Sequence, residues 1–248
     1  MGYAKILVLA IFVYLALMAL FLVYKYLNIS VLIEGVQSLH TISKDGKPED
    51  RLKVSSTAID SPTSVRYFYG LWVFVDSNTP PDRYNVIFNK DIEFILSLKG
   101  RTLYLHSAFD TDTTKNGSVN ANGVYTQVSG CTDSSFNITD NFPFQKWAHI
   151  IICVDGDTVD AYLDGKLVNS KKMKMKIPAV KDIHIGNIYT EGKITRFRRD
   201  TKVITPQGAW KEYKRGNGVT GLTGRFMPYG VDLAFIRNEN KQTKLKLF

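Results

Sequence analysis

The chain opens on an unbroken apolar run, residues 6–24 (ILVLAIFVYLALMALFLVY), bracketed by Lys5 and Lys25. At about 1.5 Å rise per residue, about nineteen residues cross most of a bilayer's hydrocarbon core. Tyr3, Tyr24 and Tyr26 stand where interfacial aromatics collect. The pattern predicts a single-pass transmembrane helix within residues 1–27, with Ile6, Leu20 and Tyr24 as anchor residues. A secretory signal would have a shorter apolar core and a small-x-small cleavage site, and an N-myristoyl site needs Ser or Thr where Ile6 stands. Lys5 on one flank and Lys25 and Lys44 against Glu34 on the other are too evenly matched to favour either orientation.

From residue 28 to 64 the apolar pattern fades into a connector, broken by Gly46, Pro48 and the charge cluster around them, and reads as a stalk. Alternation begins at residue 65. In 65–75 (VRYFYGLWVFV) Tyr67, Tyr69, Leu71, Val73 and Val75 share one face, and Phe68, Gly70, Trp72 and Phe74 the other, so both faces of this strand are expected to be covered. Further strands are predicted at 85–89, 94–98, 102–107, 124–128, 147–154, 158–163, 182–188, 193–197 and 229–237. Their short spacing without a βαβ rhythm indicates an antiparallel sandwich over 65–248. One helix is predicted at 205–213, where Thr205 suits the N-cap, Pro206 the first helical position and Gly216 the end.

The formal net charge of +9 is spread over three clusters: Lys171, Lys172, Lys174 and Lys176; Arg196, Arg198, Arg199 and Lys202; Lys241, Lys244 and Lys246. Such clusters are ordinarily solvated strand faces and turns. Their functional use would be contact with anionic headgroups or acidic protein neighbours, with Lys172, Lys174, Arg196, Arg198 and Arg199 as the expected interaction surface. No nucleic-acid-binding motif accompanies the charge, so nucleic acid is not an expected partner.

Candidate chemistry is sparse. Cys131 and Cys153 allow at most one intramolecular bridge, and no Cys/His cluster has zinc spacing. Asp110, Asp112, Asn116, Asn120 and Asn122 offer oxygen donors of the kind Ca²⁺ takes, but their spacing is not distinctive and a solvated Asx-rich loop accounts for them. No cofactor or metal is expected. Glu34, Glu49, Glu93, Glu191, Glu212 and Glu239 are all isolated, so no E-x-D-x-x-E carboxylate pair exists for glycoside hydrolysis. Four scattered histidines and no G-x-S-x-G leave hydrolase triads without support. The chain is expected not to be an enzyme.

Residues 144–168 (FQKWAHIIICVDGDTVDAYLDGKLV) carry a recognisable pattern: a W-x-H strand, an Asp-Gly turn, and a second strand ending Y-x-D-G-K. This resembles the concanavalin A-like jelly roll in its laminin-G/pentraxin-like form, with Trp147, His149, Tyr162, Asp164 and Gly165 as the signature residues. Ile185-Gly186-Asn187 is similar to the family's strand exit, and the likeness extends over about 65–237. Relatives often carry a Cys where this chain has Ser170, which puts any disulfide the resemblance implies in doubt. Together with the N-terminal anchor, YNVIFNKD and FNITDNFPFQKW, the chain also resembles virion proteins of large icosahedral DNA viruses with an internal membrane. That resemblance implies a minor capsid protein located in the virion's internal membrane, and in the host membrane during assembly, that tethers the internal membrane to the capsid shell through neighbouring capsid proteins. The alternative expectation is a membrane-displayed lectin-like protein that binds glycans.

Overall fold

The computed structural model describes residues 11–20, 30–42, 50–59, 64–76, 79–91, 93–107, 117–127, 134–173, 175, 180–218, 232–237 and 240–246. The strands in chain order are β1 (Ser30–Ile33), β2 (Gln37–Ser38), β3 (Leu52–Val54), β4 (Arg66–Val75), β5 (Tyr84–Lys90), β6 (Phe94–Lys99), β7 (Thr102–Ser107), β8 (Ser118–Val119) and β9 (Val124–Thr126). They continue as β10 (Ser134–Thr139), β11 (Trp147–Asp155), β12 (Thr158–Leu163), β13 (Lys166–Lys172), β14 (Ile183–Ile185), β15 (Gly192–Asp200), β16 (Asp232–Arg237) and β17 (Asn240–Lys246). A helix, α1 (Pro206–Lys214), follows β15.

All strand pairs are antiparallel, in two large sheets and one separate two-stranded sheet. The first runs β1-β15-β4-β11-β12-β13, with β2 also on β15; the second runs β10-β7-β6-β5-β14-β3, with the β8–β9 hairpin attached to β5. β16 and β17 pair with each other. The period-2 pattern of β4 has the expected consequence. Tyr67, Tyr69, Leu71, Val73 and Val75 enter the core between the sheets. Phe68 joins a smaller cluster on the outer face with Ile151, Cys153, Tyr162 and Ala209 of α1. Across the main core, Ile150, Ile152 and Val154 of β11 share the interior with Phe88, Leu96, Leu105 and Ile183 of the second sheet. Tyr69 sits at its centre, its ring 4.8 Å from that of Phe94 and 5.4 Å from that of Phe88.

Two sequence expectations change here. The stretch 28–64 expected as a stalk contributes strands to the sandwich: β1 and β2 pair with β15, and β3 pairs with β14. These pieces are two to four residues long. That is too short for alternation to show, and edge pairing rather than periodicity makes them strands. The transmembrane helix is not shown. Among the described residues no helix is long and apolar enough to cross a membrane. Residues 11–20 are helical and all exposed, Leu20 at 64 %, whereas Ile6 and Tyr24 lie outside the described residues.

The chain leaves the second sheet for the first at Gly186-Asn187. Gly186 adopts φ +89°, and a Cβ there would stand 2.4 Å from the Leu39 carbonyl oxygen. The fully buried Asn187 donates Nδ2 to the Val86 carbonyl (2.9 Å) and accepts at Oδ1 from Tyr189 N–H and Thr190 N–H, both 2.8 Å. Its backbone N–H donates to Leu39 O at 3.0 Å, and Gly186 N–H to Ile87 O at 2.8 Å. This corner ties three chain segments together through backbone groups that water cannot reach. Gly186→Ala, which combines a left-handed φ with backbone overlap, is expected to destabilise the protein by roughly 2 kcal/mol or more. Urea unfolding of the two proteins measures it, and a change below about 0.5 kcal/mol would show that the corner relaxes freely.

Candidate functional site

The signature residues build a hairpin. Asp164 (φ +49°) and Gly165 (φ +76°) form its two-residue turn, the conformation for which Asp-Gly is suited. Asp164 Oδ1 accepts the His149 N–H at 2.9 Å, and Asp164 N–H donates to His149 O at 2.8 Å, locking the turn onto β11. Trp147 packs on Phe74, and the buried Tyr162 lies beneath α1. His149 packs against the ring of Trp72, 4.8 Å away, and that of Tyr213, 6.2 Å away, which themselves stack at 5.6 Å. Burial, then the nearby Arg198 guanidinium, pushes its pKa down to about 3, so it is a neutral packing residue at neutral pH. The cavity beside it, lined among others by Phe68, Trp72, Arg196 and Glu212, has a volume of about 10 Å³, at most a water's worth. Nothing larger fits beneath α1.

The basic surface expected from sequence is redistributed. Arg199 is 1 % exposed, its guanidinium over the rings of Tyr67 and Tyr69. Arg198 is drawn under α1 by Glu212, with Nη1 3.2 Å from Oε2. Arg196 sits at the bulge of β15 with φ +48° and donates Nη1 to the carbonyls of Arg215 (3.1 Å) and Gly216 (3.0 Å), closing the end of α1. These three arginines hold the helix and the core and do not form an open surface. Lys172 is exposed at the end of β13, and Lys174 lies outside the described residues. Cys153 is a free buried thiol, its pKa raised to about 11 by burial, while Cys131 lies outside the described residues.

The cleft of ligand size lies on the second sheet. About 740 Å³ of space opens beside β3, β5 and β14, walled on one side by the Asn120–Asn122 turn between β8 and β9. Its lining includes Asn89, Asp91, Asn122, Lys181, Asp182 and His184. Arg51 holds the floor: Nε donates to Gly186 O at 2.7 Å, and Nη2 to Asn89 Oδ1 at 2.8 Å and His184 O at 3.3 Å. Burial lowers its pKa to about 10, and it stays charged at neutral pH. Lys53 pairs with Asp182 at 2.7 Å and Lys181 with Asp91 at 2.8 Å. The Lys53 ammonium, followed by the Ser56 N–H, holds Asp182 down at about 2. Burial lowers the pKa of His184, which leaves a neutral imidazole among these charges. Asn120 Oδ1 accepts Val124 N–H at 3.0 Å, and Ile188 N–H donates to Asn122 O at 3.1 Å, so the turn is fixed to the Gly186-Asn187 corner. Asp110, Asp112 and Asn116 lie outside the described residues, and among the described residues no group of three or more acidic, His or Cys side chains is placed to hold a metal.

The cleft was missed in the sequence because its residues come from four separated segments. A rim of amides, carboxylates and ammonium groups thus stands over one face of an antiparallel sandwich. A profile of the concanavalin A-like lectin/glucanases superfamily matches residues 47–205, and the chain belongs to that superfamily. No curated protein sequence matches it. Among solved structures, it is similar to the botulinum neurotoxin serotype G binding domain at 15 % identity and a TM-score of 0.51, with 74 % of this chain and 45 % of that one covered. It is likewise similar to the botulinum neurotoxin serotype D/C VPI 5993 binding domain at 11 % identity and a TM-score of 0.51, with 76 % and 52 % covered. The chain thus spans about half the length of these structures, and at such identities the likeness is one of fold. The expected kinship with virion proteins is not shown by these comparisons.

His149 makes a testable contribution to pH stability. Its folded pKa lies below its unfolded value near 6.5, so the unfolded chain binds the proton first, and stability present above pH 6.5 is lost as pH falls towards 3. Between pH 6.5 and 4.5, before most carboxylates titrate, urea unfolding is expected to show a loss approaching about 1.4 kcal/mol per pH unit from this group. His149→Gln flattens that slope even though it lowers stability at pH 7; equal slopes in the two proteins would remove His149 as the cause.

Proposed function

We propose that this protein is a membrane-tethered, lectin-like binding module without catalytic activity, and that the cleft on its second sheet takes a glycan. The observation that carries the reading is the cleft itself: about 740 Å³, open to solvent, with hydrogen-bonding groups of both polarities held on strands and a fixed turn. Sugar hydroxyls donate and accept at once, and a mixed rim of carboxylates, amides and ammonium groups answers both roles. The side chains are positioned before any ligand arrives, which lowers the ordering cost of binding. Membership of the lectin/glucanases superfamily supports the same reading. The tether rests on the apolar run 6–24 and on residues 11–20, whose large apolar side chains are exposed on every side of a helix, an arrangement suited to lipid. A virion tether would need the same anchor but has no feature of the cleft in its favour.

Screening the detergent-solubilised full chain against a broad glycan panel, followed by thermal unfolding with the best hits, tests the proposal. A bound glycan at about 100 times its Kd is expected to stabilise the fold by about 2.7 kcal/mol. Asn122→Ala and His184→Ala, at side chains lining the cleft, should each weaken binding about tenfold while leaving the unliganded melting temperature nearly unchanged. A panel that yields no stabilising glycan sinks the reading.

A further inference from the structure

Helix α1 has two unlike faces. Ala209 is buried against the outer face of the first sheet, and Glu212 is engaged by Arg198 and Arg215. The opposite face shows Gln207, Trp210, Lys211 and Lys214 to solvent. Trp210 is 40 % exposed, with the Lys214 ammonium 5.8 Å from its ring. The β12–β13 turn lies against this face, since a Cβ on Gly165 would be 2.9 Å from both Trp210 Cε3 and Tyr213 Cβ. Leu167 stands opposite Tyr162, which packs on Ala209, so Leu167 lies on the helix side of the sheet. It is 51 % exposed, and its neighbour Val168 41 %. At the same turn the exposed Lys146 lies 3.8 Å from Asp164.

We infer that this patch, Trp210 and Leu167 ringed by Lys146, Lys211 and Lys214, docks on an anionic lipid bilayer. The inference rests on the membrane tether proposed above. An indole exposed beside lysines suits the headgroup layer, where its ring meets the acyl boundary and the ammonium groups meet phosphates and carboxylates. The acidic groups near the patch are already taken: Glu212 by two arginines, Asp164 by the His149 N–H and Lys146. The geometry of the tether agrees. β1, which follows the N-terminal run, and β13, which carries the patch, are opposite edges of one sheet, five strand spacings or about 24 Å apart. The five residues 25–29 that join the run to β1 can span at most about 18 Å, which keeps β1 close to the membrane that holds residues 6–24 and lets the sheet lie flat on it. Tethering then turns a weak surface contact into an intramolecular one.

The test uses the full chain reconstituted in vesicles of phosphatidylcholine, with or without phosphatidylserine, containing lipids brominated on the acyl chain. Subtracting the Trp210→Phe protein isolates the Trp210 emission. That emission is expected to be quenched about twofold with phosphatidylserine, and to recover in about 0.5 M NaCl or in a Lys211→Glu/Lys214→Glu protein. A chain that resists carbonate extraction but whose Trp210 stays unquenched in phosphatidylserine overturns the docking and leaves the tether standing. A chain that carbonate strips from the vesicles overturns the tether and this inference with it. Quenching equal in phosphatidylcholine alone and at high salt overturns the anionic surface as the partner. A concentration-dependent blue shift of Trp210 without lipid quenching assigns the patch to a second copy, and also overturns it.

Discussion

The Gly186-Asn187 corner is the constraint on which the rest of the structure depends. A two-sheet sandwich must pass its chain from one sheet to the other, and the backbone exposed in passing has to be satisfied without water. Here a glycine admits the Leu39 carbonyl at close range, and one buried side-chain amide makes three hydrogen bonds, one to Val86 and two to the Tyr189 and Thr190 backbone. The same corner offers the Gly186 carbonyl to Arg51, and through Ile188 it holds the Asn122 turn. The floor and one wall of the cleft are therefore set by the element that closes the core. Fold and site share a single cause, and the rigidity of the cleft does not rely on loops alone.

The two outer faces of the sandwich have been put to different uses. On the first sheet α1 is clamped by Arg196 and Arg198 and by the Trp72 ring stacked on its Tyr213, leaving about 10 Å³ beneath it. The second sheet is only partly covered by the β8–β9 hairpin, where Tyr125 and Val119 pack on Val86 and Ile95, and the remainder is open and polar. Residues that look alike in sequence are divided by this geometry. Basic side chains of β15 spend their charge on a helix end and a carboxylate, whereas those at 53 and 181 line the open cleft.

Much of the fold was legible because its central strands are long and fully alternating. β4, β11 and β12 fall within a residue of their predicted bounds, and the cap of α1 is Thr205 as expected, with its hydroxyl accepting Gly208 N–H at 3.1 Å. The pieces that stayed hidden were short or polar. β10 (SSFNIT) and β13 (KLVNSKK) carry little period-2 signal, since edge strands with one wet side need none, and β1 to β3 were lost in what reads as a stalk. The cleft was illegible for a different reason. Arg51, Asn89, Asn122 and His184 are far apart in the chain, and only strand register brings them together. Exposure also follows from register rather than composition: Arg199 reads as a surface charge and is buried because the bulge between Thr195 and Arg198 shifts the alternation, so that after Ile194 it is Phe197 and Arg199 that face inward.

The free edge of the first sheet has a consequence of its own. All seven residues of β13 are exposed, three of them lysines, and its bulge opposite Ala161 and Tyr162 breaks the regular ladder. Asn169 Nδ2 and Lys171 Nζ reach across to the carbonyls of Asn137 and Ser135, stitching this edge to β10 of the other sheet. An edge that is charged, kinked and already spoken for offers a poor template to a neighbouring chain. At this edge a second copy of the domain finds no unbroken run of free backbone groups on which to extend the sheet.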